Sequence, residues 1–474
     1  MNIINSTYID GHFVTPQGTE LFALHNAATG KVTGQVRFGD QHDTRTAIAA
    51  AKRAFPGFSK TTRQQRIDWL NALGAAVKAR SADLTEAAIQ EYGAPVSQSS
   101  WIADYAVQAF ELAVKTLKDF PFTQQVGSAQ VTLEPLGVVG IITPWNANAT
   151  FICSKLAMVI ASGSTCVVKP SELSAHQTQV LVEALHEAGL PQGVFNLVNG
   201  RGEVVGAELS AHRDIAKISF TGSTATGKAI ARAGVETMKR VTLELGGKSP
   251  TVLLEDADLN QALPLVLAVG LGNNGQSCIA GTRILVPRTR LAEFEAGITA
   301  AVQGIQSGDP RDPTTAIGPM VSQRQWDRVQ SYIRTGIAEG ATLLVGGEGR
   351  PQGTEGGWFV KPTVFSNAHN DMIIAREEIF GPVLTIIPYD TQDEAIEIAN
   401  DTDYGLHAYV FGVDPIRTAA VADAILAGRV MINAGPMEPM APFGGFKQSG
   451  LGRENGVFGL QAFLEPKAVM GKVG

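Results

Sequence analysis

Three residues could carry chemistry by their type and setting. Cys278 closes the run Asn273-Asn274-Gly275-Gln276-Ser277-Cys278, with Gly281 beyond it. Glycine, amide side chains and a thiol at the exit of a helical stretch describe an exposed bend, where a cysteine is either a nucleophile or packed filler. Glu244 ends the apolar run Val241-Thr242-Leu243 and precedes Leu245-Gly246-Gly247. A carboxylate there points into a site or into a structural ion pair, and burial would raise its pKa and prepare it as a base. Asn146 follows Pro144-Trp145. Its amide is either an oxyanion donor or a turn residue. Met437 and Phe443, beside a C-terminal glycine cluster, line a pocket or pack in a core. Cys153 falls on a helical stretch and Cys166 in a strand-like run, so both read as filler.

The elements that must position these residues follow from the apolar pattern. Residues 40–118 read as helical. From Leu136 to Leu245, short β-branched runs (137–142, 165–169, 194–198, 215–220, 241–245) alternate with helical stretches near 151–162, 174–188, 202–210 and 223–236. Such alternation predicts βαβ units and a parallel sheet covered on both faces. Ligands of such sheets bind at the carboxyl ends of the strands, where Pro144-Trp145-Asn146, Lys169-Pro170-Ser171-Glu172, Gly222-Ser223 and Glu244 all lie. A second α/β series runs from a helix near Asp258 to a strand at 429–433. Segments 120–136 and 462–472 fit neither series and read as extended β structure.

Composition narrows the function. Lys and Arg number 38 against 45 Asp and Glu, a net charge of −7, which disfavours nucleic acid and anionic membranes as partners. The longest apolar stretch, about Ala262 to Leu271, is half of a bilayer span, and the N-terminus has no signal pattern. Three cysteines without a C-x-x-C argue against disulfides and zinc, and a cytoplasmic setting is the simplest. No histidine or carboxylate cluster suggests a metal. Gly222-Ser-Thr-Ala-Thr-Gly227-Lys228 imitates a P-loop, but Ala229 stands where Mg²⁺ binding needs Ser or Thr. The strand–Gly222–Ser223–helix turn still offers free backbone N–H groups to a pyrophosphate.

Together the segments resemble the NAD(P)-dependent aldehyde dehydrogenase family, in its non-CoA-acylating branch. The matches are Pro144-Trp145-Asn146, Lys169-Pro170-Ser171-Glu172, Phe220-Thr221-Gly222-Ser223-Thr224, Glu244-Leu245-Gly246-Gly247-Lys248, Gly275-Gln276-Ser277-Cys278, Glu377-Glu378-Ile379-Phe380-Gly381-Pro382 and Pro442 to Gly450, in family order, with Glu244 and Cys278 34 residues apart. The resemblance implies an α/β fold: a Rossmann-type parallel-sheet cofactor domain (1–119 and 137–247), an α/β catalytic domain (248–447) and a β oligomerisation arm (120–136 and 448–474). The tail of that arm would add a strand to a neighbour's sheet in a homodimer or homotetramer.

The resemblance also implies roles. Cys278 would attack an aldehyde, Asn146 and the Cys278 N–H would hold the oxyanion, and Glu244 would activate water against the thioester. Cofactor binding would fall to Ile142, Thr143, Pro144, Trp145, Lys169, Ser171, Glu172, Gly202, Phe220, Gly222, Ser223, Leu245, Gln325, Glu378 and Phe380. A carboxylate at position 172 repels a 2′-phosphate, so the implied cofactor is NAD⁺ rather than NADP⁺. Phe151, Ser154, Met437 and Phe443 would line the substrate tunnel, which Ala147-Asn148-Ala149-Thr150 reshapes where the family commonly has an aromatic residue, proline and leucine. No arginine is expected in that tunnel, which favours an apolar aliphatic or aromatic aldehyde over a semialdehyde. Arg283 reads as structural, and Pro264 predicts a kink. The rivals are a non-catalytic family member and an esterase acting through the same cysteine.

Overall fold

Two large sheets carry the molecule, whose computed structural model describes residues 2–471. The first has eight strands in the order Gly450–Leu451, Arg240–Glu244, Ile215–Thr221, Val138–Ile142, Thr165–Lys169, Phe195–Leu197, Thr7–Ile9 and His12–Val14. The five from Arg240–Glu244 to Phe195–Leu197 are parallel. Val138–Ile142 and Thr165–Lys169 are buried at every position, as strands covered on both faces must be. The chain builds outward from Val138–Ile142 to Phe195–Leu197, then returns to the other side of Val138–Ile142 with Ile215–Thr221. That reversal opens a crevice at the carboxyl ends of the two central strands, where Pro144-Trp145-Asn146 and Gly222-Ser223 stand.

The second sheet has seven strands in the order Thr342–Val345, Thr363–Ser366, Val383–Tyr389, Arg283–Pro287, Pro250–Leu253, His407–Phe411 and Arg429–Ile432. All neighbours are parallel except the first pair. The strand Arg240–Glu244 of one sheet leads through Gly246-Gly247 directly into Pro250–Leu253 of the other. Glu244 therefore sits at the crossing between them.

The helical stretch 40–118 resolves into Gln41–Phe58, Arg63–Ala79, Ser81–Tyr92 and Val96–Asp119. The last packs against Asn148–Ser162, a helix so deeply set that Ile152, Cys153, Leu156 and Ala157 are fully buried. Gly163 ends that helix in the left-handed region. The Arg66 guanidinium donates to the Ala161 and Ser162 carbonyls, as a cation at a helix C-terminus should. The helix Leu259–Leu271 includes Pro264, whose ring removes one N–H from its ladder. The carbonyl that loses its partner belongs to Asn260, an exposed residue that water can serve.

Segment 120–136 forms the hairpin Thr123–Val126 and Ala129–Pro135. The tail strand Leu464–Val469, expected to join a neighbour's sheet, pairs instead with residues 130–135 of its own chain over six positions. Within one chain this hairpin is the nearest strand edge needing a partner. Residues 472–474 of the expected arm lie outside the described ones. Among the described residues no helix is long and apolar enough to cross a membrane, and no cluster could hold a metal ion.

Candidate active site

The cysteine loop is held by amides. Asn273 and Asn274 adopt φ of 57° and 58°, and Gly275 follows at 69°. Three left-handed residues in a row reverse the chain between the helix and Cys278. Asparagine tolerates this region and glycine removes the conflict. At Gly275 a Cβ would also lie 2.4 Å from the Gly381 carbonyl. The Asn274 amide donates to the Gly93 and Pro319 carbonyls and accepts from Gly318 N–H. Gln276 Oε1 accepts from Val321 N–H at 3.0 Å. Asn146 Nδ2 donates to the Gln276 carbonyl at 3.0 Å, and Asn273 Nδ2 donates to the Asn146 carbonyl at 3.1 Å. The Asn146 amide and the thiol's loop are thus one hydrogen-bonded unit, and Asn146 keeps a second N–H for a ligand.

Cys278 itself is half-buried and unpaired. Burial pushes its thiol up to about 12, and the Glu378 and Glu244 carboxylates push the same way, while the N–H groups of Cys278 and Ile279 pull it back. The thiol is protonated at neutral pH, and ionising it costs several kcal/mol. A base or a cation must therefore act before it can attack.

Glu244 is built differently. It is 2% exposed, and neither carboxylate oxygen has a hydrogen-bond partner among the described residues. Burial holds its pKa well above the usual carboxylate range; the Glu454 charge adds to this, against Lys155, Arg453 and Arg429. The turn after it packs tightly against the Cys278 loop, for a Cβ on Gly247 would lie 2.4 Å from the Cys278 carbonyl oxygen. Ser449 braces this turn by accepting Leu245 N–H on its carbonyl and donating its hydroxyl to Gly246.

Cys278, Glu244 and Asn146 all line one cavity of about 490 Å³. The same cavity is lined by Pro144, Trp145, Ser171, Glu172, Gly222, Ser223, Leu245, Gln325, Glu378, Phe380 and Phe151. Trp145 and Phe380 meet edge to face at 5.5 Å, and Phe380 holds a left-handed φ of 63° while its carbonyl accepts from Gln325 Nε2. Glu378 accepts Gly247 N–H at 3.0 Å and is pushed up to about 7, chiefly by burial. Lys169 and Glu172 pair at 3.3 Å.

Other expected residues stand apart from the cavity. Ile142, Thr143 and Phe220 are buried behind it, with the Phe220 ring under Gly222. Gly202 opens a separate π-helical turn, Gly202–Gly206. The Gly222 N–H, expected to be free, donates to the Glu244 carbonyl at 3.0 Å. That bond continues the strand pairing one residue past Thr221. It leaves Ser223, the N-cap of the helix Thr224–Val235, as the polar head of that turn.

Ser154 and Met437 line a second, mostly apolar cavity of about 140 Å³ with Tyr105, Leu112, Met158 and Phe463. Phe443 lines neither; its ring lies 5.1 Å beneath the Arg429 guanidinium. Arg324 and Arg328 line the larger cavity on its Gln325 and Glu378 side, and no arginine lines the cavity that holds Ser154 and Met437. Arg283 is buried and donates to Asn370, Ile398 and Ala399, a structural role as expected.

Sequence reasoning missed Lys155 and Glu454. They form a buried ion pair that also receives the Ser219 hydroxyl, and Glu454 acts on Glu244. The available signal was one lysine as the sole charged residue of the segment Phe151 to Ala161.

Comparison with known proteins agrees with this geometry. Residues 13–469 match the sequence profile described as Aldehyde dehydrogenase family. This chain belongs to the aldehyde dehydrogenase family. It is 44% identical over 469 residues to a 3-succinoylsemialdehyde-pyridine dehydrogenase of Pseudomonas sp, covering 98% of each chain. Among solved structures it resembles aldehyde dehydrogenase C of Pseudomonas syringae, a cysteine-to-alanine mutant in complex with NAD⁺ and octanal. The TM-score is 0.97 at 45% identity, over 99% of this chain and 97% of that one. It also resembles a Mycobacterium tuberculosis aldehyde dehydrogenase complexed with NAD⁺, with TM-score 0.95 and 38% identity over the full length of both.

Proposed function

We propose that this family member oxidises an aldehyde to its carboxylic acid with NAD⁺ through Cys278. One observation carries the reading: a thiol, an unpartnered buried carboxylate and an amide converge on a cavity that also reaches the helix N-cap at Ser223 and the Trp145–Phe380 pair. The volume and lining suit a dinucleotide. Glu172 and Lys169 would hold the adenosine ribose, Ser223 the pyrophosphate, and Glu378 the other ribose. Bound NAD⁺ supplies the acceptance of hydride that turns a Cys278 hemithioacetal into a thioester.

The chain's own groups do the rest. Cys278 Sγ gives its proton to solvent water and attacks the carbonyl carbon. The free N–H of Asn146 and the Cys278 N–H take the oxyanion. Glu244 draws a proton from water, the hydroxide attacks the thioester, and the acid leaves as the thiol is restored. The 140 Å³ cavity, mostly apolar and bordered by the Lys155–Glu454 pair, supports an aldehyde with an apolar aliphatic or aromatic tail. The sheet division supports the domain assignment, with residues 1–119 and 137–247 binding the cofactor and 248–447 serving catalysis. Three unpaired cysteines fit the cytoplasm. The outer edges of the three-stranded sheet support a homodimer or homotetramer.

One assay tests the reading. NADH absorbance is followed across a panel of alkyl, aryl and carboxylate-bearing aldehydes, for wild type and Cys278→Ala. NADH forms with the wild type only and fastest with apolar aldehydes. Activity in Cys278→Ala refutes the nucleophile; preference for the carboxylate-bearing aldehydes replaces the substrate class with a semialdehyde.

A further inference from the structure

One face of one helix holds the turn that carries Glu378 and Phe380. In the helix Gln323–Ala338, residues Gln325, Arg328, Val329 and Tyr332 recur at i, i+3, i+4 and i+7, so they share a stripe. Gln325 Nε2 donates to the Ile379 and Phe380 carbonyls at 3.2 and 2.7 Å. Arg328 Nη2 donates to the Glu378 carbonyl at 2.7 Å and to the Tyr332 hydroxyl at 3.0 Å. The Tyr332 hydroxyl donates in turn to Glu377 Oε2 at 2.5 Å. Val329 fills the space over Gly381, where a Cβ would come within 2.5 Å of its Cγ2.

Three successive carbonyls and the carboxylate before them are thus taken by one helix. The turn needs this, because Phe380 holds a φ of 63°, which a bulky residue keeps only where its neighbours over-determine it. Arg328 alone would hold poorly, since an exposed arginine has many rotamers to lose. Tyr332, 8% exposed, fixes it: the guanidinium stands 5.0 Å over the ring centroid and donates to the hydroxyl. Burial and Glu377 push the phenol up, so it keeps its proton. The chain from Arg328 through Tyr332 to Glu377 therefore runs in one direction and ends on a carboxylate, where each bond strengthens the next.

Gln325, Arg328, Glu378 and Phe380 line the 490 Å³ cavity, whereas Tyr332 and Glu377 do not. Those two can act on a ligand there only through Arg328 and the turn. We infer that Tyr332 and Glu377 are positioning residues for the nicotinamide half of the cofactor: they preset Arg328 and the Glu378 carboxylate before the dinucleotide arrives. This rests on the reading of Glu378 as the group that holds the second ribose.

Calorimetric titration of the full chain with NADH and with AMP, which lacks the nicotinamide half, tests it. Tyr332→Phe keeps the ring and removes the hydroxyl. It will raise the Kd for NADH about tenfold, what one hydrogen bond to a charged group is worth, and leave the Kd for AMP unchanged. The KM for NAD⁺ will rise with it and the KM for the aldehyde will not. Hydrolysis of p-nitrophenyl acetate, an activated ester that acylates the thiol and needs no cofactor, will keep its wild-type rate. Glu377→Gln, a change at an exposed side chain that leaves the hydroxyl an acceptor, will raise the NADH Kd less and carries the test should Tyr332→Phe fail to fold. An unchanged Kd for NADH overturns the proposal. So does an equal loss for NADH and AMP, which marks a merely structural role. A wild-type chain that binds neither ligand instead refutes the cofactor reading of the cavity, and the inference with it.

Discussion

The loop bearing Cys278 and the strand end bearing Glu244 meet at one cavity and are built in opposite ways. The loop is saturated with hydrogen bonds: Asn273, Asn274, Gln276 and Asn146 tie its backbone to Gly93, Pro319 and Val321. The Glu244 carboxylate has none, and carries its environment's effect as a raised pKa. A nucleophile must be placed to within a fraction of an ångström, because attack fails when the angle is wrong. A base that takes a proton and gives it back needs an adjustable pKa and freedom to turn toward water. Geometry is fixed on one side so that protonation can vary on the other.

Breaking the fixed side should have the larger consequences. Asn146→Ala removes the proposed oxyanion donor and the bond to Gln276 together. It should lower kcat by about 10²–10³, with a smaller change in KM, as steady-state kinetics will show. Gly275→Ala forces a side chain into a left-handed position and against the Gly381 carbonyl. It should cost on the order of 2–4 kcal/mol of stability, read as a lower denaturation midpoint.

The adjustable side should answer to pH more than to shape. Glu244 must be ionised to take a proton from water. Because burial and Glu454 raise its pKa, hydrolysis-limited turnover should rise with pH, with a midpoint well above the ordinary ~4.3 of a glutamate. Glu454→Gln removes a neighbouring negative charge and leaves Lys155 unopposed, so the midpoint should move down. A pH–rate profile for the two proteins checks the sign.

How much of this was legible in the sequence depended on range. The parallel strands showed as β-branched runs because burial on both faces leaves an unbroken apolar signature at Val138–Ile142 and Thr165–Lys169. Short strands such as Thr7–Ile9 and Pro250–Leu253 gave no such signature; three or four residues establish no period, and their pairing is set by tertiary contact. The Asn273-Asn274-Gly275 bend was visible as composition, but Asn274 reaches Gly93 across 181 positions. Lys155 and Glu454 are 299 positions apart, so neither announces the other. Gly222 shows the opposite failure, where a familiar local pattern promised a free amide and the adjacent strand claimed it.

The division between a fixed nucleophile and an adjustable base is tested most directly by Glu244→Gln in a rapid-mixing experiment with NAD⁺ and a good aldehyde substrate. The account predicts a burst of NADH close to one equivalent per Cys278, followed by near-arrest as the thioester accumulates. Steady turnover at the wild-type rate, with no burst and no trapped thioester, would contradict it.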